Sequence, residues 1–378
     1  MSQSVGDGAT AASRRPRVLV VGQGSPTAGG IPTFVAALVG DDRLGARADI
    51  DYLNTTPRSE KKPGAFSLSN LTLLFAHARS IVVRGRSADV VHLNLAPAPL
   101  LPLVRAIVLI SAAKLARSRV ILHAHTGRMH LAAKSRLYRL ALRLALKLTD
   151  EMVVVSELTE RVVIALRGRV TRMSNGIDAS DIPTGPKEQS PPTLTFVGTV
   201  CERKGLIDLR DALKRLKGDS SLPVRVLIIG DAKQEGPGVF EHVKQSYSDA
   251  GLPEVSFLGA VDRAEVHHLL GRSSIFCLPS HWEGFPLSLL EAMAAETAIV
   301  ATDVGDVPAM LDHGDAGLVV PVKSPSELYR ALEGLVSNPQ ERARLGAAAR
   351  ARVEASYTQE AVLDRLADLY ERLAASSS

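Results

Sequence analysis

Short apolar runs rich in β-branched residues alternate with amphipathic stretches through most of the chain. In the first half, candidate strands lie at Arg17–Val21, Asp49–Leu53, Val90–Asn94, Val120–His125 and Met152–Ser156. The amphipathic stretches between them predict helices over Ile31–Val39, Leu68–Arg84 and Leu131–Leu148. Because this alternation is typical of βαβ units, it predicts an α/β domain with a parallel sheet.

The alternation stops once and then resumes. Residues 183–192 read PTGPKEQSPP, which can hold neither a helix nor a central strand, so we interpret them as a linker. A second series of candidate strands follows at Leu194–Val197, Val224–Ile229, Val255–Leu258, Ile275–Leu278, Ile299–Thr302 and Leu318–Val320. The pattern therefore predicts two α/β domains, over residues 17–182 and 193–356, with a ligand cleft at the carboxyl ends of both sheets.

The two ends of the chain lack a strand pattern. Residues 1–16 are rich in Ser, Gly and Ala without the apolar segment of a signal peptide, which predicts a disordered tail. Helical patterns over Pro325–Val336 and Gln340–Leu373 close the chain, and the helix within 357–378 is expected to pack back towards the first domain. Since no uncharged apolar run reaches about 18 residues, we expect a cytoplasmic protein without a membrane-spanning helix.

Composition and charge narrow the class of protein. Hydrophobic residues make up 46% of the chain and charged residues 22%, which indicates a globular protein. Cys201 and Cys277 lie in apolar stretches and are expected to be free and buried. The first 190 residues carry 26 Lys and Arg against 14 Asp and Glu, whereas the remainder carry 19 against 26. The basic half has no aromatic-interleaved patch, zinc spacing or nucleic-acid motif, so no nucleic-acid partner is expected.

The stretch SHWEGFPLSLLEAM, from Ser280 to Met293, follows a candidate strand and runs into a candidate helix. Pro286 suits a first turn, where exposed amides and the helix dipole favour an anionic group such as a phosphate. Glu283 precedes that turn and Glu291 lies beyond it. Two carboxylates on either side of a phosphate site suit a sugar–diphosphate–ribose ligand, although the spacing alone equally fits two solvated glutamates.

With Glu283 and Glu291 separated by seven residues, this stretch resembles the E-x7-E motif of retaining glycosyltransferases of family 4. The resemblance covers nearly the whole chain and implies the GT-B architecture, an α/β fold of two facing Rossmann-like domains with parallel sheets. It implies that Glu283 contacts the donor sugar and Glu291 the ribose hydroxyls. It also implies that the backbone of Gly284, Phe285, Pro286 and Leu287 meets the donor.

The stretch FVGTVCERKG, from Phe196 to Gly205, is similar to the strand, glycine turn and Lys-Gly of that family. A lysine at this turn can neutralise a diphosphate leaving group, a role we assign to Lys204 with support from Arg203; Gly198 belongs to the donor-binding turn. The sequence departs from the family at Thr199, where arginine is common. Either one cationic contact is missing or Arg203 supplies it.

Glycines near the N-terminus and a histidine after the fourth candidate strand complete the resemblance. Gly29 and Gly30 resemble a glycine loop whose amides approach the diphosphate, where a Cβ would block the approach. His125, in ILHAHTGRMH, resembles the histidine that touches the donor sugar, whereas His123 is interpreted as core. A zinc site on these two and His130 is disfavoured because His130 lies beyond the strand.

The resemblance implies retention of the anomeric configuration, by front-face attack. The only D-x-D in the sequence is Asp49-Ile50-Asp51, inside a candidate strand, so we predict no metal requirement and no cofactor. The expected substrates are a nucleotide diphosphate sugar, with a UDP-sugar favoured over a GDP-sugar, and a glycan or lipid-linked acceptor of cell-surface polysaccharide or glycolipid synthesis.

A basic helical pattern in the first domain raises the question of a membrane partner. Arg136, Arg139, Arg143 and Lys147 fall on one face of the predicted helix. This face could contact the anionic inner face of the cell membrane, or it could simply be solvated.

Three other functions remain open from the sequence. The chain could be a nucleotide-sugar epimerase or a phosphorylase of the same architecture, or a non-catalytic partner that binds a nucleotide sugar. An NAD-dependent oxidoreductase is disfavoured because Thr27 stands where the third glycine of G-x-G-x-x-G would be.

Overall fold

The computed structural model describes residues 14–25, 30–56, 68–127, 129–185, 191–220, 222–233, 235–252 and 254–376. Gly29, most of the predicted tail and the middle of the predicted linker lie outside the described residues.

The first domain is built on a six-stranded parallel sheet in the order β2-β1-β3-β4-β5-β6. Its strands are β1 (Arg17–Gly22), β2 (Asp49–Asn54), β3 (Val90–Leu95), β4 (Arg119–Ala124), β5 (Glu151–Val154) and β6 (Val170–Arg172). Every interior strand is fully buried or nearly so, in keeping with apolar runs covered by helices on both faces.

The helices of this domain cover both faces of the sheet. They are α1 (Gly30–Val39), α2 (Asp42–Arg47), α3 (Leu68–Gly85), α4 (Leu100–Leu115), α5 (Met129–Ala132), α6 (Arg136–Leu148) and α7 (Glu157–Ala165). The single helix predicted over Leu131–Leu148 is wrong, because the chain breaks between α5 and α6. The Ser135 side chain accepts a hydrogen bond from the Tyr138 amide and starts α6 as its N-cap.

The second domain repeats the architecture with a six-stranded parallel sheet in the order β12-β11-β10-β7-β8-β9. Its strands are β7 (Thr193–Val197), β8 (Arg225–Ile229), β9 (Val255–Gly259), β10 (Ile275–Leu278), β11 (Ala298–Thr302) and β12 (Leu318–Val320). Its helices are α8 (Leu206–Arg215), α9 (Val239–Asp249), α10 (Arg263–Gly271), α11 (Leu287–Ala294), α12 (Val307–Met310), α13 (Pro325–Ser337) and α14 (Pro339–Ser356). The predicted fold of two α/β domains with parallel sheets is confirmed, and Cys201 and Cys277 are free and buried as expected.

The closing helix predicted over Gln340–Leu373 is two helices, α14 and α15 (Gln359–Ala375). The Thr358 hydroxyl accepts from the Ala361 amide and caps α15, so the chain turns here. The buried face of α15 joins a core cluster with Val18 and Leu38 of the first domain. A bridge between Ile177 and Thr358 ties together the two places where the chain passes between domains.

Two close contacts join the domains on the side of the carboxyl ends of the strands. A Cβ on Gly127, after β4, would lie 2.5 Å from the Gly284 Cα, so the two backbones touch. At the start of α7, the Glu157 amide donates to the Asp306 carboxylate at 2.9 Å. The loops that carry the predicted site residues of both domains therefore meet.

Candidate functional site

Glu283 and Lys204 form a buried ion pair at the domain boundary. The Lys204 Nζ lies 2.6 Å from the Glu283 Oε1, and both residues are less than a tenth exposed. The Ser280 hydroxyl donates to the same oxygen at 2.7 Å. The loop after β10 and the turn after β7 thus hold one carboxylate and one ammonium together.

Arg203 lies beside this pair and is more exposed. Its Nη1 lies 3.8 Å from the Glu283 Oε2 and donates to the Trp282 carbonyl at 3.4 Å. The guanidinium also stacks over the Trp282 ring, 5.5 Å from the centroid. Arg203 therefore occupies the same region as Lys204, whereas Thr199 contributes no charge there.

Glycine is required in the turn that presents these cations. A 3₁₀ turn over Glu202–Lys204 ends at Gly205, whose φ of 66° is left-handed. A Cβ on Gly205 would lie 1.9 Å from the Pro279 carbonyl oxygen. Gly198 is packed against the Lys204 side chain, where a Cβ would lie 3.5 Å from Nζ. The loop after β10 and the cationic turn are therefore packed backbone to backbone.

Glu291 lies in α11 and has different partners from Glu283. Its Oε1 is 3.3 Å from the His267 Nε2 and 3.3 Å from the Arg263 Nε, both on α10. Pro286 is the residue before α11 and not within its first turn as predicted, since the helix begins at Leu287. The two glutamates thus lie on either side of the start of α11, each next to basic side chains.

A cleft of about 940 Å³ lies between the domains, and its lining includes Arg263 and His267, the two partners of Glu291. From the first domain it is lined by Gly30, Thr33 and Phe34 at the start of α1, and from the second by Arg263, His267 and Leu287, among others. Gly30 and Leu287 both start helices, so amides of both domains are available to an anion in this cleft. Phe285 lies two residues before α11, and the centroid of its ring is 5.9 Å from that of Tyr357.

His125 follows β4 directly, at the carboxyl end of the first sheet. Its amide donates to the Leu95 carbonyl at 2.8 Å, and its Nε2 lies 2.9 Å from the Asn94 Oδ1. Burial lowers the pKa of His125 to about 3, so the imidazole is neutral at neutral pH. His123 is completely buried in the core, as expected.

Three comparisons with known proteins bear on this arrangement. The family model described as "Glycosyl transferases group 1" matches residues 179–352, and the model "Glycosyltransferase Family 4" matches residues 27–181. Together the two models match most of both domains. The chain belongs to the family 4 glycosyltransferases.

Relatives of this glycosyltransferase match over about half of their own length. A phosphatidyl-myo-inositol mannosyltransferase of Mycolicibacterium smegmatis is 33% identical over 227 residues, 58% of this chain and 56% of that protein. An alpha-maltose-1-phosphate synthase of Mycobacterium tuberculosis is 28% identical over 222 residues, 53% of this chain and 56% of that protein.

Solved structures share the fold over nearly the whole chain. The sucrose-phosphate synthase of Thermosynechococcus elongatus has a TM-score of 0.76 at 20% identity, covering 96% of this chain and 100% of that one. HepE of Anabaena, in complex with UDP and glucose, has a TM-score of 0.72 at 18% identity, covering 95% and 100%. Both likenesses support the GT-B fold.

The described residues of this glycosyltransferase contain no group of three or more His, Cys, Asp or Glu arranged to hold a metal ion. Asp51 of the D-x-D sequence is exposed on β2 and forms an ion pair with Arg84, so it faces α3 and not the cleft. Metal independence stays a prediction that needs its own experiment.

Sequence reasoning missed several residues around the predicted ones. Asp306 bridges the domains, Arg263 and His267 contact Glu291, and Asn94 contacts His125. None of them belongs to a motif, and each reaches the site from another element. The only sequence signal was the position of Asn94 near the carboxyl end of an apolar strand, where a polar side chain faces the ligand side of a parallel sheet.

Proposed function

We propose that this protein is a retaining, metal-independent hexosyltransferase that uses a nucleotide diphosphate sugar. The observation that carries the proposal is the convergence of Lys204, Arg203 and Glu283 with Gly127, two residues after His125, at the boundary of two GT-B domains. The cationic pair at the domain boundary, the neutral His125 and the helix starts that line the interdomain cleft suit a diphosphate with a sugar attached.

Each group has a distinct part in the proposed reaction. Lys204 and Arg203 stabilise the negative charge that develops on the departing diphosphate, which takes the acceptor proton. Glu291 accepts hydrogen bonds from the ribose hydroxyls, and Glu283 and His125 contact the sugar. The amides of Gly30, Gly284, Phe285 and Leu287 add further donors to the diphosphate and sugar. Since the binding groups come from both domains, closure of the cleft on the donor excludes water.

A UDP-sugar is the proposed donor, and HepE, which shares the fold, was solved with UDP and glucose. The proposed acceptor is a glycan or lipid-linked acceptor of cell-surface polysaccharide or glycolipid synthesis. The name of the mannosyltransferase relative includes the lipid phosphatidyl-myo-inositol, which supports a lipid-linked acceptor. Within the described residues no helix is long and apolar enough to cross a bilayer.

The outer face of α6 supports peripheral contact with an anionic membrane. Three exposed leucines and three exposed basic residues share it: Leu137, Leu140, Leu144, Arg136, Arg143 and Lys147. Arg139 lies on the same side of the helix, but it is half-buried and its Nη1 donates to the Ala133 carbonyl at 2.9 Å, so its charge is less available to a membrane. Exposed leucines between basic side chains are typical of a helix that lies in the lipid interface.

Flotation with vesicles of phosphatidylglycerol and phosphatidylcholine tests the membrane contact. We expect Leu140→Ser with Leu144→Ser to weaken binding, because their apolar area no longer enters the bilayer. Leu115→Ser, at the exposed far end of α4, is the matched control. Equal flotation of all three proteins would refute the contact.

Donor binding and turnover test the proposed function together. UDP-hexoses and GDP-hexoses are screened for a concentration-dependent rise in melting temperature, and release of the nucleotide diphosphate is measured with and without EDTA. Glu291→Gln is expected to abolish the shift with the correct donor. Glu327→Gln, an exposed glutamate on α13, serves as control.

Each outcome separates the alternatives. Stabilisation by a nucleotide sugar without release of the diphosphate would indicate a non-catalytic binding partner, and epimerisation of the donor without an acceptor would indicate an epimerase. Inversion at the anomeric carbon in the product would contradict retention. Loss of turnover in EDTA with recovery in manganese would contradict metal independence.

A further inference from the structure

Three histidines form a row that leads from the interior of the first domain to its cleft. His92 on β3 and His123 on β4 stack with ring centroids 5.4 Å apart. His125 stacks on His123 at 4.0 Å and contacts the ring of Phe34, a cleft residue, at 4.9 Å. Since His92 and His123 are completely buried, we call these three residues the histidine row and place only its last member near the cleft.

Asn94 determines where His125 carries its proton. The Asn94 Nδ2 is directed at the His92 carbonyl oxygen, 3.5 Å away, which places Oδ1 towards His125. The reverse orientation would set two acceptors against each other. Because an amide oxygen only accepts, the His125 Nε2 at 2.9 Å must donate, and the Nδ1 is left as an acceptor. This Nδ1 has no hydrogen-bond partner in the described part of the chain.

Tyr370 of α15 determines the protons at the other end of the row. Its hydroxyl lies 2.7 Å from the His92 Nδ1 and is completely buried. Burial raises the pKa of Tyr370 well above its ordinary value, so the hydroxyl keeps its proton. The His92 Nδ1 is its one hydrogen-bond partner among the described residues, so we assign the hydroxyl as the donor of this hydrogen bond. The His92 Nε2 then carries a proton and donates to the His123 Nδ1 at 3.3 Å.

The row is uncharged at neutral pH. Burial lowers the pKa of His92 to about 3 and that of His123 well below its ordinary value. A charge on any one ring would be desolvated and would repel a charge on the next. Neutral rings can stack closely, which fixes the plane of the His125 imidazole, whereas Asn94 fixes the position of its proton.

We propose that Asn94, His92, His123 and Tyr370 are positioning residues for His125. They hold it as a neutral imidazole with its proton on Nε2. Its Nδ1 can then accept a hydrogen bond from a hydroxyl of the donor sugar. The contact between the His125 Nδ1 and the sugar rests on the proposed function, whereas the tautomer of His125 does not. It makes the helix α15, from the far end of the chain, a support of the donor site.

Nuclear magnetic resonance of the full chain with ¹⁵N-labelled histidine tests the tautomer directly. Long-range ¹H–¹⁵N spectra are expected to show a protonated Nε2 and a bare Nδ1 for His125 in the parent protein, with the signals assigned by their loss in His125→Gln. Asn94→Leu removes the acceptor and should shift the signals towards a mixture of tautomers. Asn94→Asp keeps an oxygen at that position and should retain the Nε2 proton.

Kinetics test the consequence for the sugar. Asn94→Leu and Tyr370→Phe are expected to lower kcat about 10- to 100-fold while KM for the donor changes less than about 2-fold, since misorientation of one contact acts on the reacting geometry. Tyr329→Phe, whose hydroxyl bonds Glu333 on α13, is the matched control and should leave kcat unchanged.

The outcomes distinguish the two proposals. An unchanged His125 tautomer in Asn94→Leu overturns the positioning role whatever the activity. A changed tautomer in a protein whose parent form transfers no sugar leaves the positioning role intact and overturns the proposed function.

Discussion

Removal of the Lys204 ammonium leaves the buried Glu283 carboxylate without its nearest cation. The resulting loss in the free energy of unfolding can be worked from the structure. In the parent protein Glu283 is 7% exposed, with the Ser280 hydroxyl at 2.7 Å and the Arg203 guanidinium at 3.8 Å, and Lys204→Met leaves both of these groups in place. Breaking a buried pair from one side costs about 3–5 kcal/mol. Because two donors remain near the carboxylate, we expect the lower end, about 3 kcal/mol, or about 6–12 °C in melting temperature for a domain of this size.

A double-mutant cycle isolates the pair. Glu283→Gln in the Lys204→Met background removes the stranded charge and should recover about 2 kcal/mol of the loss. The free energies of unfolding of all four proteins are measured by urea denaturation at pH 7.5. The surface pair Lys217–Glu254, 3.3 Å apart and about half exposed, is the matched control and should couple by less than about 1 kcal/mol.

The result that refutes the reasoning is additivity. If the losses from Lys204→Met and Glu283→Gln add within about 0.5 kcal/mol, the carboxylate does not depend on the lysine. The ion pair would then be a surface-like contact, and Lys204 would be free for another partner.

Three further outcomes follow from the geometry. Gly205→Ala should cost several kcal/mol and abolish donor-induced stabilisation, because its Cβ would lie 1.9 Å from the Pro279 carbonyl oxygen; a melting temperature and donor shift like the parent's would contradict this. Burial raises the pKa of Asp306 to about 6, so its contribution to stability is present below about pH 4 and lost as pH rises through about 6. Asp306→Asn keeps the hydrogen-bond acceptor without the charge, and it should stabilise the protein by up to about 3 kcal/mol at pH 7.5 but little at pH 4. Urea denaturation at both pH values measures this difference. An equal change in the free energy of unfolding at both pH values would contradict the prediction. Gly127→Ala should lower kcat about tenfold or more with little change in the free energy of unfolding, because its Cβ would press on Gly284 across the closed boundary; unchanged turnover would show that the contact is not needed.

Strands were readable from the sequence, because a parallel sheet covered on both faces needs continuous apolar runs. The helix α4 was missed, since Leu100–Leu115 is apolar on most sides and begins among prolines, so no 3.6-residue polar face marks it. β6 was missed because three partly exposed residues carry too little pattern. Each of the two helix breaks is marked in the sequence only by a capping hydroxyl, at Ser135 and at Thr358.

The residues of the candidate site also fall into two groups, those that a local sequence motif marks and those that it does not. Glu283, Lys204 and Gly205 could be singled out from the sequence because each lies in a contiguous motif whose spacing is set by one loop, and the structure brings Glu283 and Lys204 into contact. Asn94 and Tyr370 could not be, since they are separated by 276 positions and only the path of α15 brings Tyr370 to the histidine row that Asn94 also contacts. Pairings of that kind are set by tertiary structure, and no local pattern records them.

The contribution of α15 to the first domain has a consequence for biosynthesis. Val18 and Leu38 share their core with Val362, Leu366 and Tyr370, so this layer stays open until the ribosome has made α15. The first domain, although translated first, completes its packing last. Among the described residues, the core cluster of the second domain includes no side chain beyond Tyr357. This core can therefore finish packing while the first domain still lacks α15.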